Sequence, residues 1–163
     1  MKTINLFRGK KAFVDNDDYL FLRNYTWHIT NSGYAERSVY IGGGRKNPKI
    51  KMLQMHHLIL KRMGLDYTNK LADHINGDTL DNRRENLRLC NYQENARNRK
   101  INKNNLSGYK GVRKKNNKWE ARITVGGKTI SLGSWRDQSD AITARNQAEK
   151  KYFGEFSRLA GFV

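Results

Sequence analysis

Apolar positions along this chain come in short runs, and their spacing changes character from one region to the next. Through the first 54 residues the pattern is that of strands. KKAFVD is a short apolar run closed by a turn-forming NDD, and YLFLRNYTWHI follows with Leu20, Leu22, Tyr25 and Trp27. In GYAERSVYIGG, Tyr34, Glu36, Ser38 and Tyr40 alternate with Ala35, Arg37, Val39 and Ile41, the period of two that separates the faces of a strand. GGGRKNPK holds the only proline, Pro48, and reads as a turn. KIKMLQMHHLIL then runs from a strand into a short helix ending near Gly64. Further on, LAD and LRLC predict two short strands around the loop INGDTLDN, where Asn76-Gly77 is a strong turn signal. A helix starts after Asn91, a good N-cap with Glu94 three residues on, and runs to about Asn98 or Lys100. INKNNLSG, residues 101–108, reads as a linker.

From residue 109 the pattern is strand, strand, strand, helix. YKGVRKK and WEARITV come first, Gly126-Gly127 makes a two-residue hairpin turn, and KTISLGSW is the third strand. DQSDAITARNQAEKKYFG is the helix, with Asp137 as N-cap, Gly154 as C-cap, and Ala141, Ala144, Ala148 and Tyr152 as the inner face. The expected fold class is α+β in four parts. A β-rich region (1–54) leads into a strand–strand–helix core (55–100). A basic linker (101–108) precedes a three-stranded antiparallel sheet packed on one helix (109–163).

Composition narrows what such a chain can do. Only 37% of its 163 residues are hydrophobic and 29% are charged, so any cores are small. There is no apolar run long enough to span a membrane, and MKTINLFRGKKAF has no apolar secretion core, so an intracellular setting is expected. The single cysteine, Cys90, excludes an internal disulfide framework and a cysteine-based zinc site. The formal net charge of +17 calls for a polyanionic partner. No acid lies between Glu94 and Glu120, a stretch holding nine cations: Arg97, Arg99, Lys100, Lys103, Lys110, Arg113, Lys114, Lys115 and Lys118. Asn and Gly separate them, where a membrane-binding segment would carry bulky apolar residues. That suits an arm lying along phosphates, with Arg99, Lys100 and Lys103 as its contacts.

The stretch ADHINGDTLDNRRENLR carries the candidate chemistry. Cleaving a phosphodiester takes a base near neutrality, a cation on the scissile phosphate and stabilisation of the leaving oxygen. Histidine supplies the first, and a carboxylate ligates a hard divalent ion. Asp73 and His74 are adjacent at a strand end, so their side chains diverge: one can hold a metal while the other faces water. Asn95, one position past Glu94, is placed on the following helix as a second metal ligand.

Asp73-His74, Asn86 within DNRRENLR and Asn95 within NYQENARN resemble the HNH endonuclease family. The spacings from His74 are 12 (86 − 74) and 21 (95 − 74). The branch resembled is the phage and intron-encoded homing type, in which Asn replaces the final His. The resemblance implies a ββα-metal core around one Mg2+ or Mn2+ ion, with no zinc and no small-molecule cofactor. His74 would be the general base, Asp73 and Asn95 the metal ligands, and Asn86 the brace of the loop holding His74. It implies nicking of duplex DNA by a monomer, leaving 5′-phosphate and 3′-hydroxyl ends. His56 matches a family histidine and is a candidate site contact. On a strand, His56 and His57 would point to opposite faces.

Alternation sorts the last three strands into two faces. Trp119, Ala121, Ile123 and Val125 meet the helix, and Glu120, Arg122 and Thr124 lie opposite. YKGVRKK, KWEARI, ISLGSW and the helix resemble the plant ethylene-response-factor (Apetala-type) DNA-binding domain, over roughly 109–158. The resemblance implies that Arg113, Lys115, Arg122, Thr129 and Ser131 contact DNA, and that Trp119 and Trp135 are core. Thr124 and Thr129 stand where plant members usually carry Arg, so the target sequence does not carry over. The rival reading is a non-catalytic DNA-binding regulator on an HNH scaffold. An RNA reader would present exposed aromatics for stacking, whereas these pattern inward.

Overall fold

The computed structural model describes residues 1–97, 101 and 104–157. The fold is mixed α and β, with strands in the N-terminal part and a three-stranded sheet on a helix in the C-terminal part, as the pattern predicts. The chain divides into two compact units, Met1–Tyr92 and Gln93–Val163.

In the first unit β1 (Lys2–Asn5) pairs antiparallel with β2 (Lys11–Val14), and α1 (Asn16–Leu22) follows. Strands β3 (His28–Ile29), β4 (Ala35–Gly44) and β5 (Asn47–Gln54) form an antiparallel sheet in chain order. Helix α2 (Met55–Arg62) then leads to the antiparallel pair β6 (Leu71–His74) and β7 (Leu87–Cys90). One apolar core joins Ile4, Val14, Leu22, Trp27, Met55, Ile59, Leu60 and Leu87, so the N-terminal strands and the residues after 55 bury one another. Trp27 is 1% exposed, and its indole N–H is satisfied by Leu22 O at 2.9 Å.

Two local expectations are corrected here. NDDYLFL is a helix, not part of a strand region. Asp17 and Asp18 in its first turn suit the positive helix N-terminus, and turn-forming residues start helices as readily as they separate strands. His56 and His57 stand on α2, not on a strand, so they are one helical step apart instead of on opposite faces. The strand-to-helix change falls at Gln54–Met55, because burying Met55, Ile59 and Leu60 together requires the helical period.

Asp18 ties this unit together. It is fully buried, and its carboxylate accepts from Arg62 Nε at 2.7 Å and from Arg84 Nε and Nη2 at 2.7 and 2.9 Å. Burial alone would raise its pKa. The two guanidinium groups outweigh that and hold it below the ordinary carboxylate value. A group depressed in the folded state contributes stability above its unfolded pKa, about 3.9, and that stability is lost as pH falls through the folded value. Asp18→Asn should therefore destabilise the protein by about 3 kcal/mol at pH 7, and less in strong acid, measured by urea denaturation at both pH values. An equal loss at pH 7 and at low pH would show that the charge is not what matters.

Helix α3 (Tyr92–Arg97), whose first residue closes the first unit, precedes β8 (Val112–Lys115), β9 (Lys118–Val125), β10 (Lys128–Trp135) and α4 (Gln138–Phe153) of the second. The sheet order is β10-β9-β8, antiparallel throughout. The predicted helix over 91–100 is described as far as Arg97, and its last turn lies outside the described residues. Val112, Ala121 and Ala141 form one core cluster with Trp119 and Trp135 packed on it, and Ile123, Ala148 and Phe153 form another. A bulge at Gly133, whose φ is 136°, seats the indole of Trp135 where a Cβ would stand 2.6 Å from it. The inner face of α4 differs from the alanine stripe. Ala141, Arg145, Ala148, Glu149 and Phe153 are buried and Tyr152 is exposed. The helix turns its 141/145/148/149 positions to the sheet, and this brings an ion pair into the core.

Candidate active site

The chain from Leu71 builds the site one hydrogen bond at a time. Strand β6 ends at Asp73 and His74, which face Arg88 and Leu87 of β7. Gly77 N–H donates to His74 O at 2.8 Å, and a positive φ of 74° at Gly77 makes that turn possible. Asp78 and Leu80 donate their N–H groups to Asn76 Oδ1 and Asp78 Oδ1, successive Asx turns that wind the loop. Asn86 spans it: its Oδ1 accepts Asn76 N–H at 2.9 Å and its Nδ2 donates to Asp81 O at 2.7 Å. Both ends of the loop thus hang on one buried amide.

Outside contacts fix the loop against the rest of the unit. Phe13 N–H donates to Leu80 O and Asn82 N–H to Phe13 O, each at 2.8 Å, so the loop adds to β2 as a parallel bridge. Arg84 N–H donates to Asp15 Oδ2 at 2.7 Å, and Thr79 Oγ1 to Gly33 O at 2.7 Å. The N-terminal strands are therefore the wall on which the loop is built.

His74 is 4% exposed. Its Nε2 faces Asn82 Oδ1 at 3.4 Å, and Asn82 is itself 1% exposed. Burial lowers the His74 pKa, and the opposing pull of Asn82 and of Asp73, Asp78 and Asp81 does not reverse it. The imidazole is neutral at pH 7. Its ring meets Tyr34 at 5.9 Å and His56 edge-on at 5.2 Å between centroids. His56 is buried, its Nδ1 has no hydrogen-bond partner, and burial with two neighbouring histidines pushes its pKa down to about 2. His57 stacks flat on Tyr67 at 4.6 Å.

Asp73 is 5% exposed, and its Oδ2 accepts from Arg88 Nε at 2.9 Å and Nη2 at 2.7 Å. This cross-strand pair sets the plane of the carboxylate. Among the described residues no group of three or more His, Cys, Asp or Glu could cage a metal ion. The Asp73 carboxylate is the donor type a hard divalent ion takes, with the rest of its coordination from water and phosphate. The buried thiol of Cys90 points to Leu71 O at 3.6 Å.

The structure brings Asp73, His74, Asn86 and His56 together on the first unit. Asn95 stands half-buried on α3, in the second unit. Arg113, Lys115, Arg122, Thr129 and Ser131 are all exposed on strands of the C-terminal sheet, and the register sets Ser131 opposite Arg122. Arg113 Nε and Nη2 donate to Glu120 Oε2 at 2.9 and 2.8 Å, and Lys115 Nζ lies 3.7 Å from Glu120 Oε1. Arg99, Lys100 and Lys103 lie outside the described residues.

Three side chains of the site escape sequence reasoning. Asn82 carries no local signal, because an amide in DNRR looks like any loop residue. Arg88 would follow from the hairpin register, but a loop of this length leaves the register open. Tyr34 sits on the alternating segment, yet which face meets His74 depends on the fold. A further cationic feature is the exposed β4–β5 ribbon, with Arg37, Arg45, Lys46, Lys49 and Lys51 and no acid between Glu36 and Asp66.

Comparison with known proteins places this geometry. The family model that matches is described as HNH endonuclease and covers residues 54–97. An uncharacterized HNH endonuclease of Acanthamoeba polyphaga mimivirus is 29% identical over 153 residues, 92% of this chain and 74% of that protein. Protein 3.8 of Escherichia phage T7 is 34% identical over 89 residues, 53% of this chain and 73% of that protein. No solved structure matches the chain significantly.

Proposed function

The chain belongs to the HNH endonuclease family, whose members are nucleases acting on DNA, and from that premise we propose that it is a metal-dependent, site-selective endonuclease of the homing type. It nicks duplex DNA as a monomer inside the cell, leaving a 5′-phosphate and a 3′-hydroxyl. The observation that carries this reading is the buried, neutral His74 beside Asp73, with its Nε2 turned to Asn82.

An Nε2–H donated to Asn82 Oδ1 puts the basic lone pair on Nδ1, which takes the proton of the attacking water. Tyr34 and His56 wall the ring, and Asn86 keeps the loop from drawing His74 away. Asp73 would hold the divalent ion, Mg2+ or Mn2+. When bound, that ion supplies positive charge at the scissile phosphate and at the departing oxygen. Arg88 keeps the Asp73 carboxylate in one orientation.

We assign duplex docking to the exposed strand face bearing Arg113, Lys115, Arg122, Thr129 and Ser131, read as an ethylene-response-factor-type module, and to the linker cations Arg99, Lys100 and Lys103. A cationic sheet face suits the major groove. Glu120 holds Arg113 and Lys115 on that face, and the two cations keep its pKa below the ordinary value. Glu120→Gln should free both for phosphate. Duplex binding should tighten, and the log–log salt slope should steepen by about one for each additional phosphate neutralised. Anisotropy titrations across a salt series read this. An unchanged slope would place those cations away from the DNA.

The test of the function as a whole is conversion of supercoiled plasmid to nicked circles with magnesium or manganese, with and without chelator. Cleavage that survives the chelator would overturn metal dependence. Absence of cleavage on DNA containing the flanks of the gene would favour the regulator reading.

A further inference from the structure

Past its pairing with β3, the β4–β5 ribbon runs out into solvent. Strand β3 pairs with β4 at Ala35 and Glu36, so from Arg37 outwards, among the described residues, β4 pairs only with β5. The register runs Ser38↔Met52, Val39↔Lys51 and Tyr40↔Ile50, steps past a bulge to Gly42↔Lys49, and closes at Gly44↔Asn47. A two-stranded ribbon of this kind is marginal in water unless something packs on it.

Directly opposed residues of an antiparallel pair share a face. One face of the ribbon therefore carries Ser38, Tyr40, Ile50 and Met52, with Ile41 in the bulge beside it. Tyr40, Ile41, Ile50 and Met52 are 63, 58, 54 and 46% exposed. The Tyr40 hydroxyl donates to Gly43 O, so its ring meets a partner as an apolar body. Single exposed apolar side chains are ordinary, but four gathered on the outer end of one ribbon mark a contact surface.

The rest of the ribbon is cationic. Arg45 and Lys46 make the turn at its tip, and Lys49 and Lys51 stand on β5, all exposed. The ribbon's only acid, Glu36, lies at its base, 3.5 Å from His28. A second copy would bring like charges edge to edge, and lysines and a proline such as Pro48 are what keep an edge strand from pairing with itself. A partner that offers both phosphates and an apolar interior is a base-stacked nucleic acid.

We propose that the ribbon is a wedge for duplex DNA. Tyr40 and Ile50 enter between base pairs from the minor groove and kink the duplex, while Arg45, Lys46, Lys49 and Lys51 hold the flanking phosphates. This rests on the chain acting on duplex DNA, and adds a deformation of that substrate. Apolar side chains pressed into the minor groove unstack a base step and bend the helix toward the major groove. Pyrimidine–purine steps unstack most readily, so the ribbon selects sites by their deformability without reading a base edge.

The test measures bending without cleavage. The full chain, in chelator, is bound to a short duplex that carries a central TA step and a fluorescence donor and acceptor at its two ends. The unaltered chain is compared with Tyr40→Thr combined with Ile50→Thr, and with Lys49→Ala combined with Lys51→Ala. Threonine removes the apolar bulk and keeps the strand preference of a β-branched residue, and circular dichroism checks the fold. The unaltered chain should raise energy transfer between the ends, and the threonine variant should lose that rise. The lysine variant should still bend the duplex at saturation but bind it more weakly, with a log–log salt slope flatter by about two. A duplex left straight by the unaltered chain, or bent as fully by the threonine variant, would overturn the wedge. If the threonine variant still bends DNA but loses a dimer, or loses binding to phosphatidylserine vesicles, the apolar face belongs to a second copy or to a bilayer, and the wedge is overturned. Bending is read without metal and nicking with it, so either reading can fail alone.

Discussion

His74→Ala should abolish strand cleavage while leaving duplex affinity close to that of the unaltered chain. The ring is buried and touches Asn82, Tyr34 and His56, and none of these contacts depends on its carrying charge. Its neutral state at pH 7 is what a base needs and what a phosphate-binding cation would lack. Removal of a general base typically lowers the rate by about 10²–10⁴-fold. Single-turnover nicking, with binding measured in parallel, decides the matter. A variant within about threefold of the parent rate would sink the assignment. His74→Gln serves as a second variant, because the alanine leaves a hole beside His56 that could loosen the wall.

Asp73→Asn should lower nicking by about 10²-fold or more at a magnesium concentration that saturates the parent, and should raise the metal concentration needed for half-maximal rate. The amide keeps the size of the carboxylate and an oxygen for Arg88 to meet, so fold loss and metal loss are separated better than by alanine. The buried pair with Arg88 still makes this a costly change, because a guanidinium with 15% side-chain exposure loses its counter-charge. Asp73→Asn with Arg88→Gln therefore completes the experiment. If the double variant regains stability but stays inactive and metal-insensitive, the carboxylate acts on the ion. If activity at ordinary magnesium is normal in either variant, the metal site is elsewhere.

Much of the fold follows from local spacing. The alternation in Ala35–Tyr40 and in Trp119–Val125 places those strands, and Gly126-Gly127 places a hairpin, because a strand's faces and a tight turn are properties of a few adjacent residues. The C-terminal helix is legible from its boundaries for the same reason. Its inner face is not, since Ala144 and Tyr152 carry no local mark that distinguishes them from Arg145 and Phe153. The sheet selects the rotation of α4, and it selects the one that buries Phe153. Helix α1 escapes a local reading because Asn16, Asp17 and Asp18 suit a turn and a helix start equally well. Packing Leu22 against Trp27 and Ile4 decides for the helix.

The pairing of Asp73 with His74, and the order in which Asn86 and Asn95 follow them, is determined by the sequence alone, because adjacency on a strand end needs no tertiary contact. What only the tertiary structure decided is the environment that gives those residues their chemistry. Asp15, Asp18 and Gly33 meet Arg84 and Thr79 across 69, 66 and 46 positions of chain, and Tyr34 arrives beside His74 from the segment just before β4. Such contacts depend on which elements share a core, and no local periodicity carries that. The lowered pKa of His74 is likewise a consequence of burial, which a linear sequence cannot express.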